Sequence, residues 1–450
     1  MLTDDSYFEE LRQREYGHLN NSGQVYLDYT GGNQYSTSQL QHHFQLLSTH
    51  VFGNPHSVNP ASAFSTAQVE ATREKVLSFF RAQDYHCIFT ANATGALKIV
   101  GECYPFEDKG RFVLLADNHN SVNGIREYCH EKGGSFTYCP IHYEDLQIDG
   151  GRLAQLLSDT GDYANKLFAY PAQSNVSGIR HDLGWIAKAQ EFGWDVLLDA
   201  AAYVPTTTLD LSVVRPDFVS VSFYKIFGYP TGIGCLLVRK DKFHKLHKHW
   251  FAGGTVTLVS ISSPHHFLSQ THERFEDGTV NYLDIPAVRS GLAYIEQIGM
   301  DRIHNRVDGL MAYLVKQLMV LHHHNGAALI KIFGPPAHRH AGGTLIMNVF
   351  DLEGKQYAFE HIEQEASKMG ISIRSGCFCN PGIDETNNCL TADELARYYS
   401  SRNNGDYRDM MAYLEKMRGA IRVSVGIPTT KRDLDRFVAF ISGYLNKSAD

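Results

Sequence analysis

Short apolar runs alternate with amphipathic stretches between about residues 25 and 240, and no other feature restricts the fold as much. Several runs are apolar at nearly every position, which is typical of strands buried on both faces of a parallel sheet. The stretches between the runs carry apolar residues at helical spacing. This alternation predicts an open α/β sheet, in which ligands bind at the carboxyl ends of the strands. The predicted strands are 25–28, 87–90, 112–116, 167–170, 196–199, 218–223 and 235–238, and the predicted helices are 61–80, 121–132 and 183–192.

The pattern changes near residue 285, where longer helical stretches mix with isolated apolar strands. A chain of 450 residues is too long for one ordinary hydrophobic core, so two domains are expected. We predict a large domain over residues 25–284 and a smaller α+β domain over residues 285–450, joined by residues 1–24. The predicted helices of the smaller domain are 286–298, 302–322, 357–369 and 431–445, and its predicted strands are 345–350, 371–374 and 420–425.

The composition argues against several classes of protein. A net charge of −8 and the lack of a long basic run speak against a nucleic-acid-binding surface. No stretch approaches the ~20 apolar residues of a membrane span. The acidic stretch 1–15 lacks the apolar segment of a secretory signal, and the eight scattered cysteines favour free thiols in a reducing compartment. We therefore expect a cytoplasmic protein.

Two charged residues end successive predicted strands, Asp199 and Lys225. Taken alone, the aspartate is a common helix or turn cap, and the lysine can reach the surface from an edge strand. Aromatic and aliphatic neighbours make the position of the lysine costly, however, unless its amine is neutral or covalently used. Pyridoxal 5′-phosphate needs a lysine for its imine and a carboxylate opposite its ring nitrogen. Because both residues lie at strand ends, they can reach opposite sides of one ring, and the pair predicts this cofactor.

Other strand ends offer further groups for such a cofactor. Ala93 and Thr94 stand between a strand and a helix, where free N–H groups and a hydroxyl favour phosphate, and Ser222 offers a second hydroxyl. His119 follows another strand and is a candidate for ring stacking or proton transfer, although a lone histidine is more often structural. Asn175 is a candidate donor to a ring oxygen or a substrate carboxylate. The alternative is that it only stabilises an ordinary turn.

Several segments, in this order, resemble class V (fold type I) aminotransferases and cysteine desulfurases. The resemblance runs from about Tyr26 to the C-terminus, and within that family it is greatest to the N-terminal domain of eukaryotic molybdenum cofactor sulfurases. The segments are YLDYTG (26–31), FGNPHS (52–57), DNHNSV (117–122), LDAAAYV (198–204), SFYKIFG (222–228), RFEDGT (274–279) and IRSGCFCN (373–380).

The resemblance implies roles for individual residues. The implied cofactor contacts are Ala93, Thr94, Ser222 and Tyr224 at or near the phosphate, His119 on the ring face, Asn175 at the ring oxygen, Asp199 at the ring nitrogen and Lys225 in the imine. Thr279 would reach the phosphate of the partner subunit, since the family builds its sites at a homodimer interface. Arg374 would hold the substrate carboxylate beside Asn175, for which its planar fork is suited.

Two residues depart from the pattern of many cysteine desulfurases. Ala202 replaces a glutamine that bonds the ring oxygen, and Tyr224 replaces a histidine before the lysine. Both changes are similar to the molybdenum cofactor sulfurase branch and do not indicate loss of activity. Those sulfurases carry an additional C-terminal domain, whereas this chain ends soon after 422–426, so the sequence leaves the sulfur acceptor undefined.

The function predicted first is conversion of L-cysteine to L-alanine, with sulfur transferred to an active-site cysteine as a persulfide. Cys379 is preferred to Cys377, because the spacing Arg-x-Gly-x-x-Cys resembles group II cysteine desulfurases. Its loop, 374–382, is rich in turn formers, which favours the mobility that sulfur delivery requires. His119 is a candidate proton carrier for the thiol.

Two other classes of function remain open. An aminotransferase, epimerase or carbon–sulfur lyase would keep the cofactor and change the reaction, and a transaminase has no need of Cys379. A metal-binding or scaffold protein would use Cys377, Cys379 and Cys389, but their spacing is not a standard zinc pattern, so no metal site is expected. The histidines at 322–324, together with His338 and His340, are expected on the solvated surface.

Overall fold

The structure is a computed structural model that describes residues 5–107, 109–159, 161–335 and 341–449. Its strands are β1 (Val25–Tyr26), β2 (Tyr85–Thr90), β3 (Arg111–Leu115), β4 (Ser135–Cys139), β5 (Lys166–Pro171), β6 (Asp195–Asp199), β7 (Phe218–Ser222), β8 (Gly234–Arg239), β9 (Val256–Val259), β10 (His266–Leu268), β11 (Ile330–Phe333), β12 (Thr344–Val349), β13 (Ile371–Ser372), β14 (Arg374–Gly376) and β15 (Ala420–Ser424). Its helices are α1 (Asp5–Glu15), α2 (Gly17–Ser22), α3 (Thr37–Thr49), α4 (Pro60–Phe79), α5 (Ala93–Cys103), α6 (Asn120–Asn123), α7 (Ile125–Glu131), α8 (Gly150–Leu157), α9 (Gly184–Glu191), α10 (Phe223–Phe227), α11 (Ile285–Ile298), α12 (Met300–Met319), α13 (Phe359–Lys368), α14 (Pro381–Asn387), α15 (Ala392–Ser400), α16 (Tyr407–Leu414) and α17 (Lys431–Ser442).

The central sheet has seven strands in the order β2-β8-β7-β6-β5-β3-β4. β8 runs antiparallel to both of its neighbours, and the other neighbouring pairs are parallel. Successive residues of β6 pack into different apolar clusters, Val196 and Leu198 into one and Leu197 into the other. The sheet is therefore covered on both faces, which explains why its central strands are apolar at nearly every position.

Two strands differ from the sequence-based prediction. The predicted strand 25–28 does not join the central sheet, because Val25 and Tyr26 pair in parallel with Ile371 and Ser372 of β13. Strand β4 was missed, since its first two residues are exposed at the edge of the sheet and break the apolar run. The N-terminal segment is thus attached to the C-terminal part of the chain by backbone hydrogen bonds.

A second sheet, in the order β11-β12-β15-β14, is antiparallel throughout. Its two central strands are buried at every position. Helices α12 and α17 pack against each other beside it, each with an apolar face toward the core. The sequence missed the edge strand β11 and the exposed hairpin β9–β10, which lack a long apolar run. The domain boundary near residue 285 stays a prediction.

Helices α14, α15 and α16 all lie between β14 and β15, which are hydrogen-bonded neighbours. Asp384 anchors this helical segment. Its carboxylate accepts hydrogen bonds from the Arg418 guanidinium at 2.7 Å, the Tyr407 hydroxyl at 2.9 Å and the Gly419 N–H at 2.6 Å. Because β14 and β15 are neighbours, the helical segment begins and ends at adjacent strands of the second sheet.

All eight cysteines carry free thiols, as the sequence predicted, and five of them are buried. One histidine prediction was wrong: His323 is buried, its Nδ1 accepts the Asn446 N–H and its Nε2 lies 3.2 Å from the Phe350 carbonyl oxygen. His338 and His340 lie outside the described residues. Among the described helices, none is long and apolar enough to cross a membrane.

Candidate active site

A cavity lies at the carboxyl edge of the central sheet, with ≈ 900 Å³ of empty space when the part open to solvent is included. The loops that follow β2, β3, β5, β6 and β7 all contribute to its lining. Parallel strands place their carboxyl ends at one edge, which is why residues far apart in sequence meet here. Of the predicted site residues, eight line the cavity: Ala93, Thr94, His119, Asn175, Asp199, Ser222, Tyr224 and Lys225. Thr279, Arg374 and Cys379 are not among its lining residues.

Lys225 lies on the short helix α10, three residues past the end of β7, rather than at the strand end that the sequence predicted. Burial lowers the pKa of its ammonium, and the neighbouring Asp199 carboxylate opposes that shift. The lowered pKa increases the neutral fraction of the amine at a given pH. A neutral amine is the form that attacks an aldehyde.

Asp199 is the last residue of β6 and is 9% exposed. Its Oδ1 accepts hydrogen bonds from the Ser220 hydroxyl at 2.9 Å and from the Ala201 N–H at 3.1 Å. These two bonds fix the orientation of the carboxylate at the cavity. A carboxylate held in this way is suited to keeping a heterocyclic nitrogen protonated.

Three hydroxyls meet at the N-terminus of α5. The Thr94 and Ser121 oxygens are 2.8 Å apart, and the Ser222 oxygen accepts the Ala93 N–H at 2.9 Å. Asn92 caps the helix by accepting the Gly95 N–H. Hydroxyls at a helix N-terminus are suited to a phosphate. Sequence reasoning missed Ser121, although its place two residues after His119 was a usable signal.

His119 caps α6, and its Nδ1 accepts the Ser121 N–H at 3.1 Å. Burial lowers the pKa of the imidazole, with Lys225 and Arg422 acting in the same direction and Asp199 against it. A neutral ring with Nδ1 as acceptor carries its proton on Nε2. The imidazole can therefore present a flat, uncharged face to the cavity.

Gln173 is a buried cavity residue that sequence reasoning did not single out. Its Nε2 donates to the Ala202 carbonyl oxygen at 2.9 Å, while its Oε1 has no hydrogen-bond partner among the described residues. Buried acceptors are nearly always satisfied, so this one points to a ligand donor. The Gln173 amide, two residues past β5, thus connects the loop after β5 to the loop after β6 at the cavity.

Two arginines share one carboxylate beside the cavity. Nε and Nη2 of Arg374 donate to Asp28 Oδ2 at 2.9 and 2.6 Å, and Arg422 Nη2 donates to Asp28 Oδ1 at 2.8 Å. Arg422 also donates to the Asn175 carbonyl oxygen at 2.8 Å. Its guanidinium is buried, whereas the Arg374 side chain is 53% exposed. Burial lowers the pKa of Arg422, with Asp28 opposing the shift. Sequence reasoning missed Arg422, although it is the one charged residue in an apolar strand.

Cys379 lies in an exposed turn, next to the loop after β3. The Asn120 N–H donates to its carbonyl oxygen at 2.6 Å, and Asn175 Nδ2 donates to the Phe378 carbonyl oxygen at 2.8 Å. Both turn residues have positive φ values, 55° and 56°. The turn is thus held by hydrogen bonds at two successive peptide groups. The sequence, which is rich in turn formers, had predicted a mobile loop. Cys377 is partly buried, and burial raises the pKa of its thiol.

Thr279 is exposed in a turn whose Gly278 N–H donates to the Gly253 carbonyl oxygen at 2.9 Å. It does not line the cavity of its own chain. Its predicted role with a partner subunit stays a prediction.

The aminotransferase class-V family model matches residues 25–437. The chain belongs to this family. It is 36% identical to the molybdenum cofactor sulfurases of Solanum lycopersicum and Homo sapiens, over 96% of this chain and 56% and 51% of theirs. The chain therefore spans about half the length of the curated relatives it matches.

Solved structures share the fold of this class-V chain. An apo cysteine desulfurase from Thermococcus onnurineus NA1 superimposes with a TM-score of 0.80 at 21% identity, covering 97% of each chain. The cystine C–S lyase C-DES, in complex with cysteine persulfide, superimposes with a TM-score of 0.72 at 16% identity, covering 96% of this chain and 100% of its own. These likenesses confirm the predicted fold class, a fold type I α/β architecture.

Proposed function

We propose that this chain is a pyridoxal 5′-phosphate-dependent enzyme that converts L-cysteine to L-alanine and transfers the sulfur to Cys379 as a persulfide. The observation that carries the proposal is the meeting of Lys225, Asp199 and three hydroxyls in one cavity, with a cysteine turn fastened to the adjacent loop. The relatives named molybdenum cofactor sulfurase and the solved cysteine desulfurase support it.

The cavity fits the cofactor on the chemistry of its donors. Hydroxyls at the α5 N-terminus are suited to binding the phosphate, and the Asp199 carboxylate is suited to pairing with the ring nitrogen. The His119 imidazole is suited to stacking on the face of the cofactor ring. The unsatisfied Oε1 of Gln173 can accept from a ring hydroxyl. When bound, the cofactor supplies a sink for the electron pair released at the substrate α-carbon.

The chain's own residues divide the remaining work. Lys225 Nζ would hold the cofactor covalently and would carry the proton removed from the substrate α-carbon. The Asp199 carboxylate would keep a proton on the ring nitrogen. The lowered pKa of Lys225 suits both tasks, since its amine must be neutral to attack and to accept a proton.

The arginine pair is the proposed site of the substrate carboxylate. Arg374 and Arg422 together carry two positive charges, and Asp28 neutralises one of them. One net positive charge remains, which matches one carboxylate. Asn175 connects the arginine pair to the cavity. It lines the cavity, and its carbonyl oxygen accepts a hydrogen bond from Arg422.

Sulfur transfer requires a thiolate at Cys379. The thiolate attacks the substrate sulfur, the S–S bond forms as the C–S bond breaks, and the electron pair goes to the β-carbon, which takes a proton to give alanine. Cys379 is exposed, whereas burial raises the pKa of the rival Cys377. Exposure also leaves the product sulfur open to an acceptor. The relatives' name makes the molybdenum cofactor the first acceptor to test.

A homodimer is part of the proposal. One face of α3 leaves large apolar side chains exposed, with Phe44 at 75%, and the tip of the β9–β10 hairpin does the same, with Ile261 at 98%. Exposed apolar faces of this kind mark interaction surfaces. A second copy of the chain is the proposed occupant, which brings Thr279 of the partner subunit to the phosphate.

We place the chain in the cytoplasm. Eight free thiols are consistent with a reducing compartment, which is the support for this assignment. Imaging of the tagged full-length protein beside compartment markers tests it, and enrichment in an oxidising compartment overturns it.

The deciding experiment incubates the purified, cofactor-loaded protein with L-cysteine and with a panel of other amino acids. Alanine in solution and a sulfur atom added to Cys379, both read by mass spectrometry, are the expected results. A second candidate is a carbon–sulfur lyase, which the likeness to C-DES favours. Pyruvate in place of alanine would establish the lyase, and a keto acid from another amino acid would establish an aminotransferase.

A further inference from the structure

A buried carboxylate outside the cofactor cavity connects the loops after β3 and β5 to the cysteine turn. Asp117, two residues past β3, is fully buried. Its Oδ1 accepts hydrogen bonds from Asn380 Nδ2 at 2.6 Å and from the Ser174 hydroxyl at 2.8 Å. Nε2 of the buried His181 lies 3.0 Å from its Oδ2. A buried carboxylate with three partners is costly to disturb, because losing one leaves charge without compensation.

Asn380 links this carboxylate to the substrate side of the site. It is fully buried, and its Nδ2 lies within hydrogen-bond distance of both Asp117 and the Asn175 side-chain oxygen, at 2.6 and 3.1 Å. Asn175 then donates its own amide to the Phe378 carbonyl oxygen. The path returns to the residue before Cys379, so the turn and the cavity wall form one closed set of hydrogen bonds.

Backbone contacts complete the attachment on the other side of the turn. The Cys379 carbonyl oxygen accepts the Asn120 N–H, and Asn120 begins α6, directly after the loop that contains Asp117 and His119. A Cβ on Gly382 would lie 2.1 Å from the Ala116 carbonyl oxygen, so the chain after the turn lies directly on the end of β3. One loop therefore fixes both the imidazole at the cavity and the peptide of the cysteine.

We propose that Asp117 and Asn380 are positioning residues for sulfur transfer, which hold the Cys379 backbone at a fixed place relative to His119. This inference rests on the proposed function of Cys379. The positive φ of Cys379 fits this role, because a non-glycine residue keeps that conformation only where surrounding contacts impose it. Neither residue is among the cavity-lining residues; each acts through the backbone of the cysteine turn.

The test replaces Asn380 with aspartate. This change keeps the size and the side-chain oxygen that caps α14, but it sets a second carboxylate against Asp117. The matched control is Asn404→Asp, at an exposed position in the same helical segment. The rescue variant combines Asp117→Asn with Asn380→Asp. It restores an amide–carboxylate pair, with the amide now at position 117 and the carboxylate at position 380.

Two measurements are made on each cofactor-loaded variant. The first is the single-turnover rate of persulfide formation on Cys379, with the KM for L-cysteine and the cofactor absorbance as companions. For Asn380→Asp we expect that rate to fall roughly 10- to 100-fold, since small misplacements of a reacting group have effects of this size. The KM and the absorbance should stay near wild type, and the rescue variant should recover most of the rate.

The second measurement is amide hydrogen exchange of the peptides that contain Asn120 and Cys379, which needs no turnover. Asn380→Asp should exchange faster at these two peptides alone, while Asn404→Asp matches wild type. Unchanged exchange and an unchanged persulfide rate in Asn380→Asp overturn the inference. A wild type that forms no persulfide overturns the proposed function instead, and the exchange data then still decide whether Asn380 fixes the turn.

Discussion

Arg374 and Arg422 lie directly opposite each other on the antiparallel strands β14 and β15, and both donate to the carboxylate of Asp28. The two guanidiniums differ in environment, because Arg422 is buried and Arg374 is largely exposed. The same pairing brings the strand that leads into the cysteine turn beside the strand that carries the buried guanidinium. This difference in burial makes the contributions of the two arginines to substrate binding separable.

Replacing Arg422 with alanine should raise the KM for L-cysteine by about 10- to 100-fold, since a hydrogen bond to a charged group contributes about 1.5–3 kcal/mol. Arg374→Ala should raise it less than about 5-fold, because solvent screens an exposed pair. Steady-state alanine formation measures both effects. The reverse order of effects would assign the carboxylate to Arg374 instead.

Borohydride reduction of the cofactor-loaded protein should fix the cofactor to a single peptide, the one that contains Lys225. Lys225→Ala should abolish this labelling and the yellow colour of the bound imine. Because the pKa of Lys225 is lowered, cofactor uptake by the apoprotein should reach its plateau at a pH below the usual lysine pKa. Labelling of a different lysine in the wild type would contradict the assignment.

Asp199→Asn should bind the cofactor yet lose activity on the order of 100-fold or more, because the amide does not hold a proton on the ring nitrogen. The residue's two hydrogen-bond donors can still reach the amide oxygen, so the fold should persist. Cofactor absorbance and alanine formation are the readouts. Turnover near wild type would mean that another group serves the ring nitrogen.

Cys379→Ser should form no persulfide and release alanine at least about 100-fold more slowly with L-cysteine, since the attacking thiolate is lost. Cys377→Ser is the matched control, two residues away, and should retain both activities. Mass spectrometry of the treated proteins locates the added sulfur. Persulfide formation at the wild-type rate in Cys379→Ser would move the nucleophile elsewhere.

Phe44→Glu should convert the proposed homodimer to monomer and lower cofactor occupancy, because the cavity would lose the proposed contact with Thr279 of the partner subunit. Val213→Glu, at a residue of similar exposure, serves as the control and should leave the dimer intact. Sedimentation velocity and bound-cofactor absorbance measure the two outcomes. A wild-type monomer with full cofactor occupancy would exclude the shared site.

Much of the site was predictable because a parallel sheet places the residues after its strands at one edge. Asp199 and His119 follow apolar runs, and Ser222 ends one, so local pattern alone located them. Gln173 and Asp117 were not predictable in their roles, since these depend on partners far away in the sequence. The prediction of edge elements failed for a different reason. Strand β4 and hairpin β9–β10 expose much of their surface, so their sequences lack a run of apolar residues.

The helical segment α14–α16 begins and ends at neighbouring strands, and this geometry bears on how the chain tolerates insertions. The entropy of closing a loop grows only with the logarithm of its length, about 0.6 kcal/mol for each doubling. Since β14 and β15 already fix both ends, residues can be added or removed between α15 and α16, away from the cysteine turn and Asp384, at small cost to the sheet. The surface beside Cys379 can therefore be remodelled during evolution, or in the laboratory, while the cavity on the central sheet stays as it is.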